Sequence, residues 1–271
     1  MSNWLERSEL LISPDKLAKL KKAHVLIVGL GGIGSFAAEF IARAGVGEMT
    51  IIDGDVFDST NKNRQLTALD STIGKNKAVV LGERLLDINP DLKLNIVQEF
   101  VLPERVWTLL EEYKPDYVMD CIDSVTPKLE WIIACKRLKV KIISHLGAGG
   151  KTDPSRVQVT NLNLTHNCKL GSHLKKRLKK QNVKFESVRA VFSSELQQKA
   201  SLKLTDGTNF KRSFYGTISY MPALFGLIGA SDVLRYLMER KSEEFKTDSL
   251  KLKSNGPTRT SSDSRDAEFV R

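Results

Sequence analysis

The stretch Ala23–Asp55, AHVLIVGLGGIGSFAAEFIARAGVGEMTIIDGD, decides the reading of this chain. His24 to Val28 is a short apolar run of strand type, and Gly29, Gly31 and Gly34 follow in G-x-G-x-x-G spacing. A helix-period segment closed by Gly45 and Gly47 then leads to a second strand ending at Asp53. Glycines at these positions let the backbone turn sharply and approach a phosphate. The helix that follows aims its amide groups and positive dipole end at that phosphate, and Asp53 is placed to accept from ribose hydroxyls. The pattern predicts a nucleotide site, with NAD and ATP both open on these residues alone.

Outward from this unit, strand and helix alternate. Helical patterns cover 75–87, 103–112 and 127–136, and strands 94–97, 117–121 and 141–144. The alternation predicts an α/β fold: a Rossmann-like, doubly wound, mostly parallel sheet. Beyond residue 150 the period changes to a C-terminal extension of strands at 157–161 and 188–192, with a basic helix at 174–180 between them and a closing helix at 218–240. Upstream, Ser13-Pro14-Asp15 reads as an N-cap with proline in the first turn of a helix leading into the first strand. The expected organisation is one domain over 1–240, with a nucleotide-binding half over about 20–150 and a substrate-facing half over about 151–240. The polar segment 241–271 is expected to be a disordered tail.

Composition narrows the function classes. Apolar residues make up 41% and charged residues 27% of 271, as in an ordinary soluble protein. The formal net charge is +10, and Lys169 to Arg189 holds eight Lys or Arg against one Glu, which invites an anionic macromolecule. Cys121, Cys135 and Cys168 form no CxxC pair and have no His at zinc spacing, so neither a disulfide framework nor zinc is expected. With no secretory pattern at the N-terminus, a cytoplasmic location is expected. Segment 218–238 is apolar but interrupted by Asp232 and Arg235, so a core helix is expected there, without stable membrane insertion. Gly149-Gly150-Lys151-Thr152 imitates the end of a P-loop, but His145 stands where that motif needs glycine.

The residues after Asp53 separate ATP chemistry from hydride transfer. Asp55, Asn61, Arg64 and Gln65, then Lys77, then Asp120-Cys-Ile-Asp123 gather cations and carboxylates beside the phosphate turn. Arg64 and Lys77 suit a triphosphate and the charge that builds on its α-phosphorus. Asp123 suits Mg²⁺, a hard ion that prefers carboxylate and phosphate oxygens.

This combination resembles the ThiF, MoeB and ubiquitin-activating superfamily, which adenylates carboxylates with ATP. The matching residues are Gly29, Gly31, Gly32, Gly34, Asp53 with Asp55, Asn61 to Gln65, Lys77 and Asp123. The resemblance covers about residues 5–238. It implies ATP and Mg²⁺ as cofactors, Asp53 on the ribose, Asn61, Arg64 and Lys77 on the phosphates, and Asp123 on the metal. It also implies a homodimer in which an N-terminal arginine, here Arg7, reaches the partner's site, and it leaves room for a monovalent cation near the glycine turn.

Within the superfamily, Asp123-Ser-Val-x-Pro127-Lys128, Gly147-Ala-Gly-Gly-Lys-x-Asp153-Pro154, Val157 to Thr160 and Val191-Phe-Ser-Ser-Glu195 look like the tRNA threonylcarbamoyladenosine dehydratases. That likeness implies a tRNA anticodon loop as partner, not DNA. It also admits proteins of a cysteine-desulfurase system as partners. The threonine carboxylate is then adenylated and attacked by its own carbamoyl group, which closes a ring and releases AMP. A tethered attacking group has an effective concentration of order 10⁵ M or more, so no cysteine nucleophile is required. Subfamily members can carry a cysteine just before Val-Phe-Ser, where this chain has Arg189-Ala190. In this reading Lys175, Lys176, Arg177, Lys179 and Lys180 grip the RNA backbone, while Leu174 and Leu178 face the sheet. The alternatives are adenylation of a ubiquitin-like sulfur carrier's C-terminus, and a dehydrogenase or regulator that uses the glycine turn alone.

Overall fold

The computed structural model describes residues 3–204 and 213–240. The segment expected to be a disordered tail, 241–271, lies outside the described residues. In chain order the main elements are α1 (Glu6–Ile12), α2 (Pro14–Lys22), β1 (His24–Val28), α3 (Gly34–Arg43), β2 (Glu48–Ile52), α4 (Lys77–Ile88), β3 (Lys93–Val97), α5 (Pro103–Tyr113) and β4 (Tyr117–Asp120). They continue with α6 (Val125–Arg137), β5 (Lys141–His145), β6 (Val157–Asn161), α7 (Lys169–Lys180), β7 (Arg189–Ser193), the short hairpin β8 (Leu202–Leu204) and β9 (Ser213–Tyr215), and α8 (Tyr220–Glu239).

Seven strands form one sheet in the order β3-β2-β1-β4-β5-β7-β6. All neighbours are parallel except β6, which runs antiparallel to β7 at the edge. The order runs outward from β1 to β3 and then restarts on the other side of β1 at β4. The crevice at the carboxyl ends of β1 and β4 is therefore the topological switch point, where open α/β sheets bind ligands.

The near-continuous apolar strands of the sequence follow from burial on both faces. Val25 and Ile27 of β1 join Met49, Ile51, Met119 and Ile143 in a core under α3 and α8. Leu26 and Val28 join Ile52, Val118 and Ile142 in a second core under α5, α6 and α7. α8 has the length and apolar composition of a membrane span, yet half of its apolar window is buried inside the molecule. Gly226 brings it against α3, where an added Cβ would lie 2.5 Å from the Ile33 carbonyl oxygen.

Two details differ from expectation. The N-terminal helical pattern is two helices broken at Ser13, whose φ of 79° is left-handed and whose side chain makes no cap, although Pro14 does open α2. The basic helix is longer than 174–180: it starts at Lys169, where the Cys168 sulfur accepts from the Gly171 amide and caps the end.

Glu39 ties α3 to α4. It accepts from Arg84 at 2.6 and 3.1 Å and from Arg43 at 2.8 Å. Burial pushes its pKa up, but hydrogen bonds from the two arginines outweigh that and hold it below the ordinary carboxylate value. A depressed native pKa adds stability above the unfolded value, and this contribution is lost as pH falls through the native one. Glu39→Gln is expected to cost about 1 kcal/mol at pH 7, kept modest because the arginines are half exposed. The difference from wild type should shrink below about pH 4, as read by urea unfolding at several pH values. A constant difference would mean that the charge of Glu39 is not what matters.

A candidate adenylation site at the sheet switch point

The glycine turn closes directly on the end of β4. Gly29 has φ of +85°, and a Cβ there would sit 3.1 Å from the backbone of Cys121 and Ile122. Gly34 passes so close to the Gly29 carbonyl oxygen that a Cβ would lie 1.9 Å from it, so this glycine serves helix–strand approach. Gly31 differs: its nearest neighbour would be the Gln65 amide nitrogen at 3.7 Å. Open space at the second glycine, before a helix N-terminus, is what a phosphate needs. Gly32 packs against Pro222 and Arg64.

Asp53 sits beside the turn, with both oxygens engaged by backbone. One accepts from the Leu30 amide at 2.6 Å and the other from Asp55 at 2.9 Å. Burial raises its pKa, and those two amides pull it back. Asp53 thus shapes the turn as well as facing it, and each oxygen keeps a second lone pair for a ribose hydroxyl.

Lys77 opens α4, which Asn76 caps by accepting from Ala78 and Val79. Its ammonium pairs with Asp55 at 2.5 Å and is nearly buried. Asn61 is buried in a reciprocal cap with Asp58, which fixes the loop that carries Arg64 and Gln65. Arg64 donates to the Thr60 carbonyl at 2.9 Å and to Asn63 at 2.8 Å. Burial lowers the pKa of its guanidinium, and the Asp123 carboxylate pulls it back up. Gln65 is buried with its Oε1 lacking a partner among the described residues. The structure therefore gathers Gly29–Gly34, Asp53, Asp55, Asn61, Arg64, Gln65, Lys77 and Asp123 at one crevice. It does not bring Arg7 there: Arg7 is exposed on α1, and the neighbouring Leu5 packs at Gly45, at the far end of α3 from the turn.

Asp120 and Lys128 stand out in the sequence only as members of motifs, and the buried group they form beneath the crevice is not visible there. Lys128, fully buried on α6, pairs with Asp120 at 2.6 Å and donates to Ser144 at 3.2 Å, while Ser144 donates to Asp120 at 2.7 Å. The other Asp120 oxygen accepts from the Ile122 amide at 3.1 Å, which holds the turn that carries Asp123. Burial raises the Asp120 pKa against the pull of Lys128. His145 lies alongside, 3.1 Å from the Asp120 carbonyl, its pKa pushed down to about 3 by burial. Glycine at 229 leaves room for that ring, since a Cβ would fall 2.0 Å from Nε2. A lysine inside the apolar pattern of α6 was the available signal. Lys151, the false P-loop lysine, also points inward, donating to the carbonyls of Asn167, Ser193 and Glu195 at 3.2, 2.8 and 2.6 Å. All three cysteines are buried free thiols, and burial raises the pKa of Cys121 and Cys135.

A glycine turn at the switch point, ringed by Arg64, Lys77 and Asp123, has the parts of a carboxylate-adenylating site. The chain belongs to the ThiF family, whose model matches residues 5–267. A tRNA threonylcarbamoyladenosine dehydratase of Haemophilus influenzae is 39% identical over 243 residues, 86% of this chain and 92% of that protein. Crystal structures of E. coli TcdA, a tRNA N6-threonylcarbamoyladenosine dehydratase, in complex with AMP and with ATP each superpose with a TM-score of 0.78 at 36% identity, over 88% of this chain and 96% of theirs. E. coli molybdopterin-synthase adenylyltransferase is 35% identical over 130 residues only, 48% of this chain and 51% of that protein.

Proposed function

We propose that this protein is an ATP-dependent tRNA threonylcarbamoyladenosine dehydratase. The observation that carries the reading, beyond the full-length likeness to such enzymes, is where the basic helix lies. Arg177 of α7 donates to Thr126 at 3.1 Å, three residues from Asp123, so the cationic face of α7 adjoins the adenylation crevice. Leu174 and Leu178 are buried beneath it, while Lys176, Arg177, Lys179 and Lys180 are exposed. Lys175 is turned inward to the Thr165 carbonyl at 2.5 Å, which leaves the other four to meet RNA phosphates.

In the reaction, the threonine carboxylate oxygen attacks the α-phosphorus of ATP and pyrophosphate leaves. The neighbouring carbamoyl group then attacks the acyl-adenylate carbon, closing the ring and expelling AMP. The Gly31 opening receives phosphate, Asp53 the ribose, and Arg64 and Lys77 the charge at phosphorus. The Lys77 ammonium, held by Asp55, is pre-positioned for this. No group of three His, Cys, Asp or Glu able to hold a metal occurs among the described residues. A single exposed carboxylate, Asp123, beside a phosphate site fits Mg²⁺, which is held by one or two carboxylates plus substrate phosphates and neutralises their charge. Arg7, exposed and remote from its own crevice, is offered to the crevice of a second copy in a homodimer. A tRNA substrate supports a cytoplasmic location. The sulfur-carrier reading is not retained, since the likeness to such an enzyme spans half the chain.

The test is the nucleoside content of tRNA from cells lacking this protein, digested under mild conditions and read by mass spectrometry. Only the open threonylcarbamoyl nucleoside is expected, and an unchanged level of the cyclic form rejects the assignment.

A further inference from the structure

A cavity of about 570 Å³ opens at the amino-terminal ends of β4, β5 and β7. β5 spans five residues from Lys141 at this end to His145 at the crevice end, so the cavity lies about 13 Å below the adenylation site. Five cations line it, Lys136, Lys139, Lys141, Arg189 and Arg235, against one carboxylate, Asp232. That carboxylate is already shared: Arg189 engages it at 2.7 and 3.1 Å, and Arg235 lies 3.5 Å from it. Among the described residues Lys136 has only the neutral Ser187 hydroxyl, at 2.7 Å. Lys141 stands 5.5 Å over the Tyr236 ring, and neither it nor Lys139 forms an ion pair among the described residues.

Like charges facing one cavity repel, and an anion relieves that repulsion. A closed site for a small phosphate would hold buried donors. Here Lys139, Lys141 and Arg235 are exposed along an open rim, the distribution that suits an extended polyanion. The segment that returns from α7 to β7 delivers Ser187 and Arg189 to the cavity wall, so the two basic regions of the chain adjoin.

We propose that this cavity is a second RNA-backbone site, which binds phosphates of the substrate tRNA away from the modified nucleoside. The inference rests on the tRNA reading above. It makes recognition bipartite, with α7 at the crevice and the cavity at the opposite, amino-terminal end of the strands.

The experiment compares wild type, Lys139→Glu/Lys141→Glu and, as a control with the same charge change, Lys21→Glu/Lys22→Glu on exposed positions of α2. Affinity for full-length tRNA is measured by filter binding across a salt series, and AMP formation is followed with a saturating anticodon stem-loop that carries the open nucleoside. The cavity variant is expected to bind tRNA at least about tenfold more weakly, with a salt slope shallower by about 2, while its turnover on the stem-loop stays at the wild-type value. Wild-type affinity and slope in that variant overturn the inference. So does an equal loss in the α2 control, which would reduce the effect to net charge. Failure of the wild type to form AMP on any modified RNA would instead overturn the assigned reaction, and tRNA binding would still report on the cavity.

Discussion

Alanine at Asp123 is expected to lower AMP formation by about three orders of magnitude while tRNA affinity stays within about twofold of wild type. The side chain is exposed at the end of the β4–α6 turn, so its removal leaves both apolar cores intact and should change stability by less than about 0.5 kcal/mol. What is lost is the crevice carboxylate that the proposed reaction assigns to Mg²⁺ and that supports the charge of Arg64. Asparagine at 123, of the same shape but neutral, is expected to be equally inactive, which separates charge from packing. AMP release at the wild-type rate in the alanine variant would show that the metal is held elsewhere.

Methionine at Lys128 is expected to act on the fold instead, at a cost of about 3–5 kcal/mol, because it strands the Asp120 carboxylate in a site with no solvent access. Ser144 keeps its bond to that carboxylate but brings no charge. Adding Asp120→Asn should recover most of the loss, since a neutral amide beside methionine carries no unpaired charge. Urea unfolding of the two single variants and the double variant gives the coupling directly. A Lys128→Met cost below about 1 kcal/mol would mean that the pair does not hold this turn in place. Ile122 hangs from the same carboxylate, so the double variant is also a sensitive probe of ATP affinity at constant fold.

Most of the half expected to bind nucleotide was legible because its determinants are local. The Gly29–Gly34 spacing, the apolar run before it and Asp53 after it state a β–α–β unit within a few turns of chain, and the structure places β1, α3 and β2 there. The parallel order followed from the repeated alternation. The buried lysines were opaque for the opposite reason. Lys128 and Lys151 are held by groups at distant strand ends and loops, and no periodicity reveals whether a lysine will find such partners. The β8–β9 hairpin was unread because three-residue strands are too short to show a period. Asp53 was assigned a ligand-facing role from its position, and the backbone amides that also occupy it become visible only when the chain has turned.

The three carbonyls around the Lys151 ammonium bear on how RNA binding will respond to ionic strength. A free monovalent ion in such a cage would exchange with the buffer, whereas a cation carried by the chain itself has an occupancy that no dialysis changes. Asn167, whose carbonyl is one of the three acceptors, lies two residues before α7. The anchorage of the basic helix is thus expected to be insulated from salt, and a salt titration of tRNA affinity should count ions released from the RNA rather than a loosening of the helix proposed to receive it.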